Sequence, residues 1–238
     1  MDLFERQWQT YRSVVDRDWM EHRGLTAACA EAMQSWLADH PGRAGRARLL
    51  DLGCGDLALM APVLRGLPLG AYLGVDSAAN VLPAARAALG ETGFPAEFRH
   101  GDIRDVVDGD GDGPGFDIVH AALVLHHLTD EEKAQFLSSL RRRVRPDGIL
   151  VWADVFREPG ESLPDYAARY AERIRTGWTA LDRESRESIV AHMSACDFPA
   201  DRDAVVGMAR NAGWRWRWLW KGRHRAEAVA LLTPDGRH

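Results

Sequence analysis

The sequence predicts an α/β protein: a doubly wound, mostly parallel sheet finished at its C-terminal end by an antiparallel hairpin. Three observations carry this. Short apolar runs of strand length alternate with helical stretches between Ala47 and Asp154, the pattern of parallel strands joined by crossover helices. The first apolar run stops at two glycines one residue apart, Gly53-Cys54-Gly55; such a turn lets backbone approach a ligand and leads into a helix start with unpaired N–H groups. The chain then closes with two more strand-like runs around a short turn, Trp214–Trp220 and Ala228–Leu232.

Size and charge narrow the class. At 238 residues, 46% hydrophobic and 27% charged, the chain holds one full α/β domain plus insertions. A net charge of −5 argues against a general nucleic-acid surface. No stretch has the apolar length of a membrane span, and the N-terminus lacks a signal-peptide core. Cys29, Cys54 and Cys196 are scattered and show no metal-ligand spacing. The expectation is a cytoplasmic protein with no membrane partner and no metal.

The elements follow in order. Trp8, Tyr11, Val15 and Trp19 form one helical stripe, and Leu25, Ala28, Cys29, Ala32, Met33 and Trp36 form a second. His40-Pro41-Gly42 ends that helix. Strands are expected at Ala47–Leu52, Ala71–Val75, Ala96–His100, Asp117–Ala121 and Ile149–Asp154. Helices are expected at Leu57–Leu67, Asn80–Leu89 and Asp130–Arg143, the last capped by Thr129 or Asp130 with acids in its first turn. Asp108 to Gly113 begins like a calcium loop, but position twelve is Val119 where that loop needs a glutamate, so it reads as a solvated loop. An insertion carries two more helical stripes, Leu163 to Trp178 and Ser185 to Cys196, ended by Asp197-Phe198-Pro199. Asp201 caps a helix that runs to Ala212 and stops at Gly213. In Trp214 to Trp220 strict alternation predicts a Trp face packed under helices and a face whose arginines meet solvent, in preference to base stacking.

The glycine turn also fits the dinucleotide fingerprint G-x-G-x-x-G/A through Ala58, a weak match on its own. Asp51 and Asp56 flank it and put carboxylates where a pyrophosphate would sit. A ligand carrying an ammonium and a sulfonium suits those acids better, which favours S-adenosylmethionine over a nicotinamide dinucleotide.

Leu49–Gly55 resembles motif I of the class I S-adenosylmethionine-dependent methyltransferases. Further matches follow in order: Gly74-Val75-Asp76-Ser77, Gly101-Asp102-Ile103, Phe116 through Leu125-His126-His127-Leu128, and Leu140 through Arg145-Pro146-Asp147-Gly148. The resemblance covers roughly residues 47–155. One departure is Leu57, where the family often has a third glycine; a tighter turn or an earlier helix start is expected there. The resemblance implies a Rossmann-like, seven-stranded sheet in a single domain: a helical lid over residues 1–46, a cofactor-binding core over 47–155, a helical substrate cap over 156–200, and a last helix with terminal hairpin over 201–238. It also implies that Asp76 and Ser77 sit at the ribose, Asp102 and Ile103 at the adenine, Gly53, Cys54 and Gly55 under the methionine end with Asp51 organising it, and Ala121 near the reacting methyl.

Methyl transfer from a sulfonium asks the protein for alignment and exclusion of water. A neutral acceptor must also lose a proton, and His126, His127, His22 and Tyr11 are the candidate catalytic side chains; His192 and Tyr170 are further ones. The expected activity is transfer of the methyl to a small-molecule oxygen or nitrogen, with S-adenosylhomocysteine as product. The expected partners are a small-molecule acceptor and no nucleic acid, in a monomer or homodimer. A non-methylating cyclase or lyase using the same cofactor, a nicotinamide dehydrogenase and an inactive cofactor-binding module stay open beside it.

Overall fold

The computed structural model describes residues 10, 12–108 and 115–236. The seven-stranded sheet runs β3-β2-β1-β4-β5-β7-β6. Its strands are β1 (Ala47–Leu52), β2 (Leu69–Asp76), β3 (Ala96–His100), β4 (Phe116–Ala122), β5 (Val144–Val155), β6 (Trp214–Lys221) and β7 (Glu227–Pro234). The first five pair in parallel, and β7 joins both β5 and β6 antiparallel. The centre of the sheet is covered on both faces: β4 is buried at six consecutive positions, as expected where helices pack on both sides. The edges carry charge instead, with Glu97 and Arg99 on β3 and Arg215, Arg217 and Lys221 on β6 exposed, which discourages edge-to-edge pairing.

Beyond a helical stretch at residues 12–16, the longer helices that accompany the strands are α1 (His22–Asp39), α2 (Ala61–Gly66), α3 (Leu82–Leu89), α4 (Ile103–Asp108), α5 (Asp130–Arg143), α6 (Leu163–Gly177), α7 (Arg183–Cys196) and α8 (Ala204–Asn211). Two apolar layers enclose the sheet. One gathers α4, α5 and α8 around Leu50, Val119, Leu137, Trp152 and Trp214; the other gathers α1, α2 and α3 around Leu49, Met33, Leu64 and Ile118. A third cluster joins α6 and α7 to Val14 through Tyr170, Ile174 and Trp178. α5 begins as expected: Thr129 accepts from Glu132 N, and the Glu132 carboxylate accepts from Thr129 N, a reciprocal cap. Asp201 accepts from the N–H groups of Asp203 and Ala204, capping α8.

Several expectations need correction. The first crossover helix starts at Ala61, not Leu57. Leu57 takes φ +57°, so the position where a third glycine was wanting keeps a left-handed backbone despite its side chain, a conformation that costs roughly 1–2 kcal/mol outside glycine. The buried Leu57 side chain offsets that strain. α4 was not anticipated; Ile103, Val106 and Val107 bury one face of it. The Trp face of β6 ends early. A register shift between Trp218 and Trp220 turns Leu219 and Trp220 toward the opposite layer, while Trp214, Trp216 and Trp218 stay on the α5–α8 side. Trp220 then lies so close to α1 that a Cβ on Gly24 would stand 2.5 Å from its ring, which is why that helical position is glycine. Trp8, Tyr11 and the core of the Asp108–Gly113 loop lie outside the described residues.

Candidate active site

The carboxyl ends of β1, β2 and β4 and the segment after β3 converge on a cavity of about 630 Å³, a size suited to small ligands. Its floor is the glycine turn. Gly53 (φ +67°) and Gly55 (φ +55°) both need the left-handed region. A Cβ on Gly53 would also stand 2.7 Å from Val124, whereas one on Gly55 would meet nothing within 4 Å. Gly55 N donates to Asp76 Oδ2 at 2.8 Å, and Asp76 Oδ1 accepts from Ala78 N at 2.9 Å. The Asp76 carboxylate is thereby fixed at the cavity wall, and each of its oxygens keeps a further acceptor site.

Asp102 also lines the cavity, but with company. The Arg104 guanidinium makes three hydrogen bonds to its two oxygens, and the Arg104 backbone N–H adds a fourth. The Arg104 guanidinium holds the Asp102 carboxyl below its usual range, against slight desolvation, and also reaches Glu132 at 3.2 Å. Ile103 and Ser77 line the wall between them.

Asp51 is buried beneath the turn. Its Oδ1 pairs with His120 Nδ1 at 2.7 Å, and its Oδ2 accepts from the Tyr72 hydroxyl at 2.9 Å. Burial alone would lower His120; the Asp51 carboxylate overrides it and pushes the imidazole up to about 10. Burial and then Asp51 push the Tyr72 hydroxyl up. The Cys54 thiol is driven up by burial first, then by Asp51 and Asp76, so it stays protonated and is no nucleophile. Sequence reasoning missed His120. Its signal is visible only once strands are aligned, because Asp51 and His120 face each other in the β1–β4 register.

The predicted catalytic residues separate. His22 opens α1 and lines the cavity together with Val15 and Thr26. Burial lowers its imidazole, opposed by Asp18, and its Nδ1 has no hydrogen-bond partner among the described residues. His22 is set by its neighbour Glu21, whose carboxylate accepts from the N–H groups of Arg223 and His224 in the β6–β7 turn. His127 also lines the cavity. His126 does not belong to the cavity lining: it is buried with Nδ1 2.6 Å from Asp154 Oδ1. Ala121 turns its side chain into the core, and Ala122 takes the cavity side, as alternation along a strand requires. Tyr11 lies outside the described residues. No metal-ligand set was legible in the sequence, yet the fold brings His126, His127 and Asp197 together, with donor atoms all within 4.8 Å of one another.

The donor set suits the cofactor that the motifs imply. Asp51, Asp56, Asp76, Asp102 and Glu132 line the cavity, and Arg104, the one arginine in its wall among the described residues, is already paired with two of them. A wall so acidic matches a ligand with an ammonium and a sulfonium and repels a pyrophosphate.

Comparisons with known proteins agree. A family model described as a methyltransferase domain matches residues 50–150. The N-terminal Xaa-Pro-Lys N-methyltransferase 1 of Rattus norvegicus is 30% identical over 169 residues, 66% of this chain and 73% of that protein. The ubiquinone biosynthesis O-methyltransferase of Cereibacter sphaeroides is 32% identical over 113 residues, 47% of this chain and 42% of that protein. Among solved structures, the plantazolicin methyltransferase BpumL, in complex with a triazolic desmethylPZN analogue and SAH, aligns with a TM-score of 0.64 at 12% identity, covering 94% of this chain and 90% of that one.

Proposed function

The chain belongs to the class I S-adenosylmethionine-dependent methyltransferases, and on that premise we propose that it methylates an oxygen or nitrogen of a small-molecule acceptor, with His22 taking the acceptor's proton. The observation that carries this reading is the state of His22: a cavity-lining imidazole held neutral by burial, with an unpartnered Nδ1. A neutral imidazole is a base; a hydroxyl or an amine that has to shed a proton on alkylation needs one.

The cofactor supplies an electrophilic methyl. The residues of this chain do the rest. Asp76 accepts from the ribose hydroxyls, with Ser77 beside it, while Asp102 and Ile103 border the adenine. Gly53, Cys54 and Gly55 floor the methionine end. Asp51 acts at one remove, since both its oxygens are taken by His120 and Tyr72; it stiffens the turn from below. Ala122, Leu123 and Val124 leave an apolar wall for the acceptor, and Leu123 packs against the cluster that α6 and α7 form with Val14; in this reading the N-terminal helical segment and residues 156–200 are the lid and cap. His126, locked to Asp154, belongs to the frame in this reading.

The relatives' names leave two acceptor types in view, a nitrogen at an Xaa-Pro-Lys N-terminus and an oxygen in ubiquinone biosynthesis. An acceptor panel of amines, phenols and short peptides, assayed for S-adenosylhomocysteine release, tests the reading. Turnover is expected with a small hydroxyl or amine, with a loss of 10²–10⁴-fold in His22→Gln. Turnover on peptides alone, or a His22→Gln variant as fast as the wild type, contradicts it.

A further inference from the structure

We propose that His126, His127 and Asp197 form a three-ligand site for a divalent transition ion of the zinc type, at the edge of the cavity. The inference stands apart from the acceptor assignment and uses residues that the cofactor reading leaves over.

The geometry is that of ligands around an ion. Asp197 Oδ1 lies 3.2 Å from His127 Nδ1 and 3.8 Å from His126 Nε2. It is buried, and among the described residues no contact to it, that of His127 included, has hydrogen-bond geometry; His127 Nδ1 also lies 3.4 Å from the Cys196 carbonyl. A buried carboxylate oxygen left without a hydrogen bond is costly. An ion held tetrahedrally at about 2.0–2.1 Å from nitrogen and oxygen spaces its ligand atoms about 3.4 Å apart, between the two distances observed. The donor atoms of all three residues lie within 4.8 Å of one another.

Orientation gives a second, independent reason. A metal-bound histidine usually hands its other ring nitrogen to a carboxylate. His126 does so: Nδ1 lies 2.6 Å from Asp154 Oδ1, which turns Nε2 toward Asp197. Asp154 is in turn immobilised, its Oδ2 accepting from the N–H groups of Leu125 and His126 and from Trp152 Nε1. The loop that brings in Asp197 is pinned to the same place. Phe198 N donates to the His126 carbonyl at 2.6 Å, and the buried Lys133 ammonium donates to the carbonyls of Phe198 and Leu128. Two segments some 70 residues apart in sequence are thus clamped so that two imidazoles and one carboxylate bring donor atoms within 4.8 Å of one another. Two imidazoles and a carboxylate are a ligand set for zinc-type ions. Three protein ligands leave such an ion one further position, and His127 also forms part of the cavity wall.

The test uses the full chain stripped with chelator and no methyl donor. Co²⁺ is titrated while the visible absorption of a tetrahedral ion is followed, and Zn²⁺ binding is measured by calorimetry. The expected result is one equivalent per chain, with affinity down at least 100-fold in Asp197→Ala and in the half-exposed His127→Ala, and unchanged in His100→Ala and Cys196→Ser. Circular dichroism establishes that each variant folds. Absence of saturable binding at micromolar metal, or binding that survives both ligand substitutions, overturns the proposal. Loss with Cys196→Ser alone overturns it too, since the neighbouring exposed thiol would then be the binder. None of these outcomes bears on methyl transfer, because no cofactor is present.

Discussion

Asp51 on β1 and His120 on β4 meet beneath the glycine turn, oxygen to nitrogen at 2.7 Å, and both are almost fully buried. Neither strand alone makes this pair; the parallel register does. It joins the turn that floors the cavity to the centre of the sheet.

The pair makes stability depend on pH with a definite sign. The folded imidazole of His120 is pushed up to about 10 from 6.5. Its contribution is therefore complete below pH 6.5 and is lost as pH rises toward about 10. Asp51→Asn removes one partner of a buried pair and is expected to cost about 3–5 kcal/mol near neutral pH. The difference between wild-type and variant unfolding free energies, from denaturant melts at several pH values, should shrink across that window. A constant difference would mean that His120 is neutral in the fold.

Asp76 is the anchor expected for the ribose. Hydrogen bonds to a charged acceptor are worth roughly 1.5–3 kcal/mol each, so Asp76→Ala should weaken cofactor binding tenfold or more, read by calorimetry with S-adenosylhomocysteine. Asp102→Ala should do less, because Arg104 already occupies that carboxylate. The opposite ranking would exchange the two roles.

With His22 as the proposed base, its titration is expected to set the acid limb of the rate profile. Burial lowers its imidazole from 6.5, so the basic form persists at neutral pH. kcat/KM is expected to fall only as pH drops below 6.5, and the limb should vanish in His22→Gln, whose residual rate is flat. A limb retained in that variant would assign the titration to another group.

Glu21 holds His22 from behind. It takes φ +53°, a left-handed backbone, while its carboxylate receives the β6–β7 turn. A Cβ on Gly222 would stand 2.2 Å from Glu21 Oε2. Glu21→Ala should therefore lower kcat about tenfold or more through misplacement of His22, on the scale by which small positioning errors act, with cofactor affinity unchanged. An equal loss in binding and turnover would instead mark general loosening of α1.

Much of this was legible in the sequence. The third strand, the capped helix Asp130–Arg143 and the strand–glycine–helix unit follow from period, caps and turn chemistry, which are local. What stayed hidden is non-local. Nothing in the run Asp117 to Ala121 says that His120 faces Asp51, and nothing in Leu125-His126-His127-Leu128 separates the imidazole tied to Asp154 from the one in the cavity wall. Asp197 read only as the end of a helix, because its partners arrive from another segment. Trp220 left its expected face through a shift of one register position, too small for alternation to reveal.

The most direct test is the fate of the methyl group. The protein is incubated with methyl-labelled S-adenosylmethionine and fractionated metabolite and peptide pools, and labelled products are quantified against S-adenosylhomocysteine. The account predicts label in a low-mass compound, bound to oxygen or nitrogen, in one-to-one ratio with S-adenosylhomocysteine, and a drop of about tenfold or more with Asp76→Ala at subsaturating cofactor. Label found only in peptides, or methylthioadenosine released in place of S-adenosylhomocysteine, would contradict it.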